Sequence, residues 1–247
     1  MKKYLPFAVL LIGVLVVGGV LVMSRRSTST SNPITEEESA PEIPFDQRPV
    51  ASLTPKSDGH WLKLNLQNIN RVVGAKLLEY EIIYTTSDER QQGSSGKVDV
   101  ATAGNIDRDI LLGSESSGKF RYDEGVTEGN LTLRWRNEKG KLAGKLTTTW
   151  HLQSSTDTLT SSDAQFTYKL NQIPKVGYFV TMETFGIPQG VTGLTDGPYG
   201  VFASEAVKFP GTVTLGSGKV SLWNEASWLP LEAGKSPNVG IFVTTSN

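Results

Sequence analysis

From Gly59 onward the apolar residues recur at every second position, and that spacing leaves the backbone little choice. Leu131, Leu133 and Trp135 alternate with Thr132, Arg134 and Arg136; after Asn137-Glu138-Lys139-Gly140, the series Leu142, Leu146, Trp150 and Leu152 resumes in one parity. Successive side chains of a strand point to opposite faces, so a period of two sends one set to a core and the other to solvent. With its glycine-containing connection, this pair predicts a β-hairpin. The same alternation marks residues 62–66, 78–84, 98–100, 120–122 and 166–170. One apolar and one polar face per strand is the signature of antiparallel sheets with a solvated side, whereas sheets buried on both faces read as continuous apolar runs. No stretch after residue 58 carries a helical stripe over three turns. Residues 105–112 are expected to make one short helical turn capped by Asn105 or Asp107.

The expected fold is therefore an all-β ectodomain, an antiparallel β-sandwich occupying residues 59–172. At Ile173-Pro174 the texture changes. Residues 176–182 and 239–245 are apolar on both faces and are separated by turn-rich segments such as GIPQG, TDGPYG and KFPG. Residues 173–247 are expected to form a smaller β unit packed on the first, or the strands that complete it. Residues 213–215 and 220–222, on either side of Gly216-Ser217-Gly218-Lys219, are expected to pair as a hairpin.

Ahead of the sheets lies a different pattern. Residues 4–23, YLPFAVLLIGVLVVGGVLVM, contain no charge, and a helix of that length covers roughly 30 Å, the hydrocarbon thickness of a bilayer. Lys2 and Lys3 precede the run and Arg25-Arg26 follow it without a small-x-small cleavage site, which favours a retained transmembrane helix over a cleaved signal. The positive-inside rule then leans toward a cytoplasmic N-terminus, with the C-terminal body outside a cell membrane that the chain crosses once. Residues 24–58, rich in Ser, Thr, Pro and Glu, are expected to form a disordered stalk, because they offer too little apolar surface to offset ordering entropy.

Composition narrows the partners. The chain has 24 Lys+Arg against 25 Asp+Glu, a net charge of −1, which offers no footprint for nucleic acid. It has no cysteine, a usage ordinary for a bacterial cell envelope and unusual for a eukaryotic extracellular domain. The same fact removes every thiol mechanism. No cofactor is expected: the stretch GTVTLGSGKV from Gly211 to Val220 has Val213 where a phosphate loop needs its first glycine and Val220 where it needs Ser or Thr.

Reactive side chains are sparse. His151 falls on the polar parity of its strand, which predicts solvent exposure, and His60 borders the stalk beside Trp61. Asn105-Ile-Asp107-Arg-Asp109 begins like a calcium loop but has Ile110 in place of glycine and Ser116 in place of the closing glutamate. Asp107 and Asp109 are thus candidates only for an irregular metal site. Glu79 and Glu81 share a strand face near 7 Å apart by strand geometry, the type of pair that glycoside hydrolysis uses. Trp223 and Trp228, in the segment near the C-terminus, are candidates for a sugar-stacking platform. The expected function is a non-catalytic binding or structural module of the envelope, held by the membrane through residues 4–23 and contacting an envelope polysaccharide or another envelope protein. The alternatives are a polysaccharide hydrolase with paired carboxylates and a subunit of a surface assembly.

Overall fold

A computed structural model describes residues 40–246. The apolar run at 4–23 lies outside them, and among the described residues no helix is long and apolar enough to cross a membrane. The described chain is built from strands. The first five are β1 (Val50–Pro55), β2 (Trp61–Gln67), β3 (Leu77–Thr85), β4 (Gln91–Asp99) and β5 (Asn105–Leu111). Next come β6 (Gly113–Ser116), β7 (Lys119–Tyr122), β8 (Glu128–Arg136), β9 (Leu142–Ser154), β10 (Thr158–Thr160) and β11 (Phe166–Leu170). The last are β12 (Tyr178–Glu183), β13 (Leu194–Ala203), β14 (Gly211–Leu215), β15 (Lys219–Trp223), β16 (Trp228–Pro230), β17 (Lys235–Ser236) and β18 (Ile241–Thr245). Helical structure among the described residues is confined to three short 3₁₀ turns.

Nine strands form one antiparallel sheet in the order β16-β15-β18-β13-β12-β9-β8-β3-β4. Strands from both sides of Ile173-Pro174 belong to it. The predicted hairpin of β8 and β9 lies inside it, between β12 and β3, with Leu133 opposite Leu146 and Glu128 opposite His151. Three smaller sheets accompany it: β1-β2-β5, β10-β11-β14-β17 and the hairpin β6-β7.

The long sheet is covered on opposite faces in its two halves, and β12 is the strand where cover changes sides. Its residues Val180 and Met182 join the core under β1-β2-β5, with Leu53, Leu62, Leu64, Leu131, Leu133, Trp135 and Trp150. Phe179, of the other parity, joins the core under β10-β11-β14-β17, with Phe166, Tyr168, Tyr199, Leu215 and Phe242. A strand buried on both faces has no polar parity to offer, which explains why residues 176–182 read as a continuous apolar run. Each fully buried Leu or Phe side chain contributes about 1.5–3 kcal/mol relative to exposure. Two separate cores therefore hold the one sheet from both sides.

Three expectations are corrected. Residues 50–55, placed in the stalk on composition, form β1, whose Ala51 and Leu53 are 0 % exposed. Two inward apolar residues are too weak a pattern on their own, and pairing with β2 from Val50↔Gln67 to Pro55↔Leu62 supplies the rest. Residues 105–111 are a strand rather than a helical turn. The four-residue spacing of Ile106 and Ile110 suits either form, and the seven-residue ladder of β5 with β2 decides it. Finally, β14 and β15 do not pair: β14 bonds to β11 and β17, β15 to β16 and β18. Gly216, at φ +53°, begins a connection that crosses between layers, because Leu215 and Leu222 enter the same core from opposite sheets.

Candidate functional site

The covering sheet β1-β2-β5 stops short of β13, β18 and β15, and a groove of about 630 Å³ opens where it stops. One wall carries Ser52, Thr54, Asn65 and Gln67 on the outward parity of β1 and β2. The other is the long sheet itself, with Phe202, Ile241 and Trp223. Hydroxyls and carboxamides on one side and aromatic surface on the other are the combination a polyhydroxylated ligand requires: polar groups for its rim and a flat apolar plane for its C–H face.

Trp223 reaches this position because of a turn. Leu222 points into the core, so its neighbour Trp223 must face the other way. Asn224 then accepts hydrogen bonds on Oδ1 from the backbone N–H groups of Ala226 (3.1 Å) and Ser227 (2.8 Å), and Glu225 adopts φ +73°. This asparagine-built turn sets Trp228 opposite Trp223 in the β15–β16 ladder. Their rings lie 5.4 Å apart, inclined by 59°, and both are half-buried. Trp228 Nε1 donates to the carbonyl oxygen of Gln189 at 2.9 Å, which fixes its ring. The two tryptophans singled out from the sequence are thus brought together, with Trp223 lining the groove.

A second aromatic surface went unrecognised in the sequence. His60 stacks on Tyr122 at 4.2 Å and 7°, Trp61 meets the edge of Phe120 at 5.5 Å, and Phe120 and Tyr122 lie parallel at 6.4 Å. Lys56 Nζ sits 4.8 Å from the Trp61 ring centroid, within the range of a cation–π contact. Phe120 is 47 % and Tyr122 39 % exposed. Their alternation with Lys119 and Arg121 reads as a core strand, yet β6 and β7 bond only to each other, and no sheet covers them. A conspicuous aromatic pair on a four-residue strand was the available signal.

The carboxylates noted in the sequence have other partners. Glu79 Oε2 accepts from Arg136 Nε at 2.9 Å and its Oε1 lies 2.7 Å from Lys97 Nζ; Glu81 Oε2 accepts from Arg134 at 2.9 Å. The Lys97 ammonium, and with it the Arg136 guanidinium, holds the Glu79 carboxyl below its usual range against the effect of partial burial. Such a cross-strand ladder keeps Glu79 ionised, so it is not a proton donor, and it commits Glu81 to Arg134. Asp109 bonds Lys56 Nζ at 2.6 Å and Asp107 lies 3.2 Å from Lys63 Nζ. Among the described residues, no group of three or more His, Asp or Glu is placed to hold a metal ion.

One carboxylate pair emerges only in three dimensions. Glu183 of β12 and Asp163 of the β10–β11 turn border a cavity of about 200 Å³ with Tyr199, Ser161 and Thr149. Burial raises the pKa of Glu183, the charge of Asp163 adds to that, and Arg48 opposes it. Partial burial pushes Asp163 up too, but the hydroxyls of Ser161 and Tyr199 and the Gln165 amide outweigh it and leave Asp163 lowered. Both oxygens of Asp163 are engaged: Oδ1 accepts from Ser161 (2.5 Å) and Gln165 N (3.0 Å), Oδ2 from Tyr199 (2.6 Å).

His151 departs from expectation. Its parity is polar, but β10 crosses that face, and Nδ1 donates to the carbonyl oxygen of Thr160 at 2.8 Å, leaving the ring half-buried. A carbonyl only accepts, so this contact places a proton on Nδ1. With the fold and these surfaces described, comparison with protein-family models and with curated proteins finds no match.

Proposed function

We propose that this chain is a membrane-anchored, extracytoplasmic binding module of a bacterial cell envelope that recognises a polysaccharide through the groove edged by Trp223. The observation that carries this reading is the pairing of an aromatic wall with a wall of Ser52, Thr54, Asn65 and Gln67 across a groove about 630 Å³ in volume. A sugar ring lies flat on an indole and turns its hydroxyls toward such groups. The near-neutral charge of the chain suits a ligand recognised by shape and hydrogen bonds rather than by electrostatic attraction. Residues 4–23 supply the anchor in this proposal. Full-length protein in detergent, titrated with chito-oligosaccharides, solubilised peptidoglycan and neutral glucans, is expected to show saturable quenching of tryptophan fluorescence with at least one of them. Absence of binding to all three, or binding unchanged in Trp223→Ala, overturns the reading.

A polysaccharide hydrolase is the second reading, favoured by the opposed pKa shifts of Glu183 and Asp163 beside one cavity. It ranks below the first because both oxygens of Asp163 are already committed, Oδ1 to the turn that contains it and Oδ2 to Tyr199 of β13.

A further inference from the structure

We propose that two copies of this chain pair through β4, edge to edge and antiparallel, about a two-fold axis at Ser95. The argument begins with what the other edges look like. A free strand edge is a row of unpaired backbone donors and acceptors, and proteins blunt such edges with shortness, proline, charge or bulges. At the far side of the long sheet, β16 has three residues and ends in Pro230. In the smaller sheets, β10 has three residues and β17 two, β5 carries Asp107-Arg108-Asp109, and β1 ends in Pro55 and is tied to the end of β12 by Ala51 N–H donating to Thr184 O. By contrast β4 has nine residues, QQGSSGKVD, no proline, and an unbroken register with β3 from Leu77↔Asp99 to Thr85↔Gln91. It hydrogen-bonds to no strand but β3.

The direction of its free groups follows from the ends of that ladder. Thr86 N–H donates to Arg90 O at 3.0 Å and Val100 N–H to Lys76 O at 2.9 Å. Bonding to β3 therefore falls on the even-numbered residues of β4. Antiparallel pairs alternate between bonded and non-bonded, so Gln91, Gly93, Ser95, Lys97 and Asp99 direct their backbone groups to the open edge.

A second β4 pairs along its full nine-residue length in one register. Centring the axis on Ser95 sets Ser95 against Ser95, Gly93 against Lys97 and Gln91 against Asp99, so every outward residue meets an outward residue. No like charges stand opposite each other. Lys97, the strand's one cation, pairs with Glu79 on the outer face of its own sheet and leaves the edge clear. The side chains along the edge are small or uncharged at the centre, which lets two backbones approach to ladder distance. The result joins two nine-stranded sheets into one.

The chain has no cysteine, so Ser95→Cys introduces a single thiol. In a bonded antiparallel pair the Cα atoms stand about 5.5 Å apart, inside the window for a disulfide. Full-length Ser95→Cys in detergent micelles is expected to form a disulfide-linked dimer under mild oxidation, at least tenfold faster than Glu138→Cys, which lies in the exposed β8–β9 turn. Light scattering is expected to give a dimer for the unmodified chain and a monomer for Ser95→Lys, which opposes two ammonium groups without touching a bond to β3. Equal cross-linking of the two cysteine variants, a monomer in the unmodified chain, or a dimer that Ser95→Lys leaves intact each overturns the proposal, the last by locating the interface elsewhere. These outcomes are independent of polysaccharide binding, which is read from a different face.

Discussion

Thr181 Oγ1 donates a 2.6 Å hydrogen bond to the carbonyl oxygen of Thr160, across the gap between the long sheet and β10. The same carbonyl meets His151 Nδ1 at 2.8 Å and Gln153 Nε2 at 3.2 Å, while Gln153 Oε1 accepts from Thr160 N–H at 3.0 Å. Four contacts on one residue of a three-residue strand clamp the covering sheet β10-β11-β14-β17 to the long sheet at the point where cover changes sides.

Replacing Thr181, which is 0 % exposed, with the isosteric Val leaves Gln153 Nε2 without its 2.8 Å partner and Thr160 O one donor short. Thr181→Val is expected to lower stability by about 1–3 kcal/mol, the cost of leaving buried polar groups underbonded. The denaturant midpoint measures it, with the slope unchanged. An unaltered midpoint would mean that the clamp contributes nothing.

Glu79 links β8 to β4 through Arg136 and Lys97, and Glu79→Gln is expected to cost about 0.5–1 kcal/mol at pH 7, in the range of surface ion-pair networks. Its folded pKa is depressed, so its contribution is present above the unfolded value of 4.5 and is lost as the pH falls below that through the folded pKa. Thermal midpoints of the two proteins should therefore differ at pH 7 and converge near the acid limit. A difference constant from pH 7 to pH 3 contradicts the assignment.

At Gly129 an added Cβ would strike the Ile83 carbonyl oxygen on the neighbouring strand and the indole of Trp150. Neither neighbour is free to move, since Ile83 is main chain and Trp150 is 0 % exposed. Gly129→Ala is expected to destabilise by about 1–3 kcal/mol through overpacking. At Gly74, where φ is +75° and nothing lies within 4 Å, the same change costs only conformational strain, about 1 kcal/mol. Comparing the two unfolding midpoints distinguishes crowding from strain.

Tyr199→Phe tests what Asp163 is for. Loss of the 2.6 Å bond is expected to cost about 1.5 kcal/mol, at the low end for a bond to a charged group because Asp163 is exposed. The pKa of Asp163 should rise toward 3.8, and with it the pH at which its stabilisation is lost on acidification. Carboxyl titration by NMR reads the shift. An unshifted Asp163 would detach it from Tyr199 and reopen the hydrolase reading.

For the groove, Trp223→Ala is expected to weaken polysaccharide binding tenfold or more, the usual consequence of removing an aromatic anchor. Trp228→Phe should have a smaller effect, since it keeps the aromatic packing on Trp223 and loses only the bond to Gln189 O. Fluorescence titration of both variants checks the order. Equal losses would assign Trp228 a direct contact.

Much of the architecture was legible from residue order alone, because strand periodicity is a local property. The alternation of Leu131, Leu133 and Trp135 identified β8, and the turn at Asn137–Gly140 identified its partner β9. Tertiary structure decided what alternation leaves open, namely which layer a strand joins. Leu215 and Leu222 show the limit: two strands joined by a short glycine-rich link look like a hairpin until both leucines prove to need the same core from opposite sheets. Burial of His151 under β10, and of Phe179 and Val180 on opposite faces of β12, likewise depends on elements distant in the chain. The candidate site divides the same way. Residue type alone selected Trp223 and Trp228, since few side chains offer a large flat apolar surface. Their pairing, the polar wall from β1 that completes the groove, and the ion pairs that occupy Glu79 and Asp109 required the register of strands far apart in sequence, because convergence in space is fixed by pairing and twist rather than by spacing along the chain.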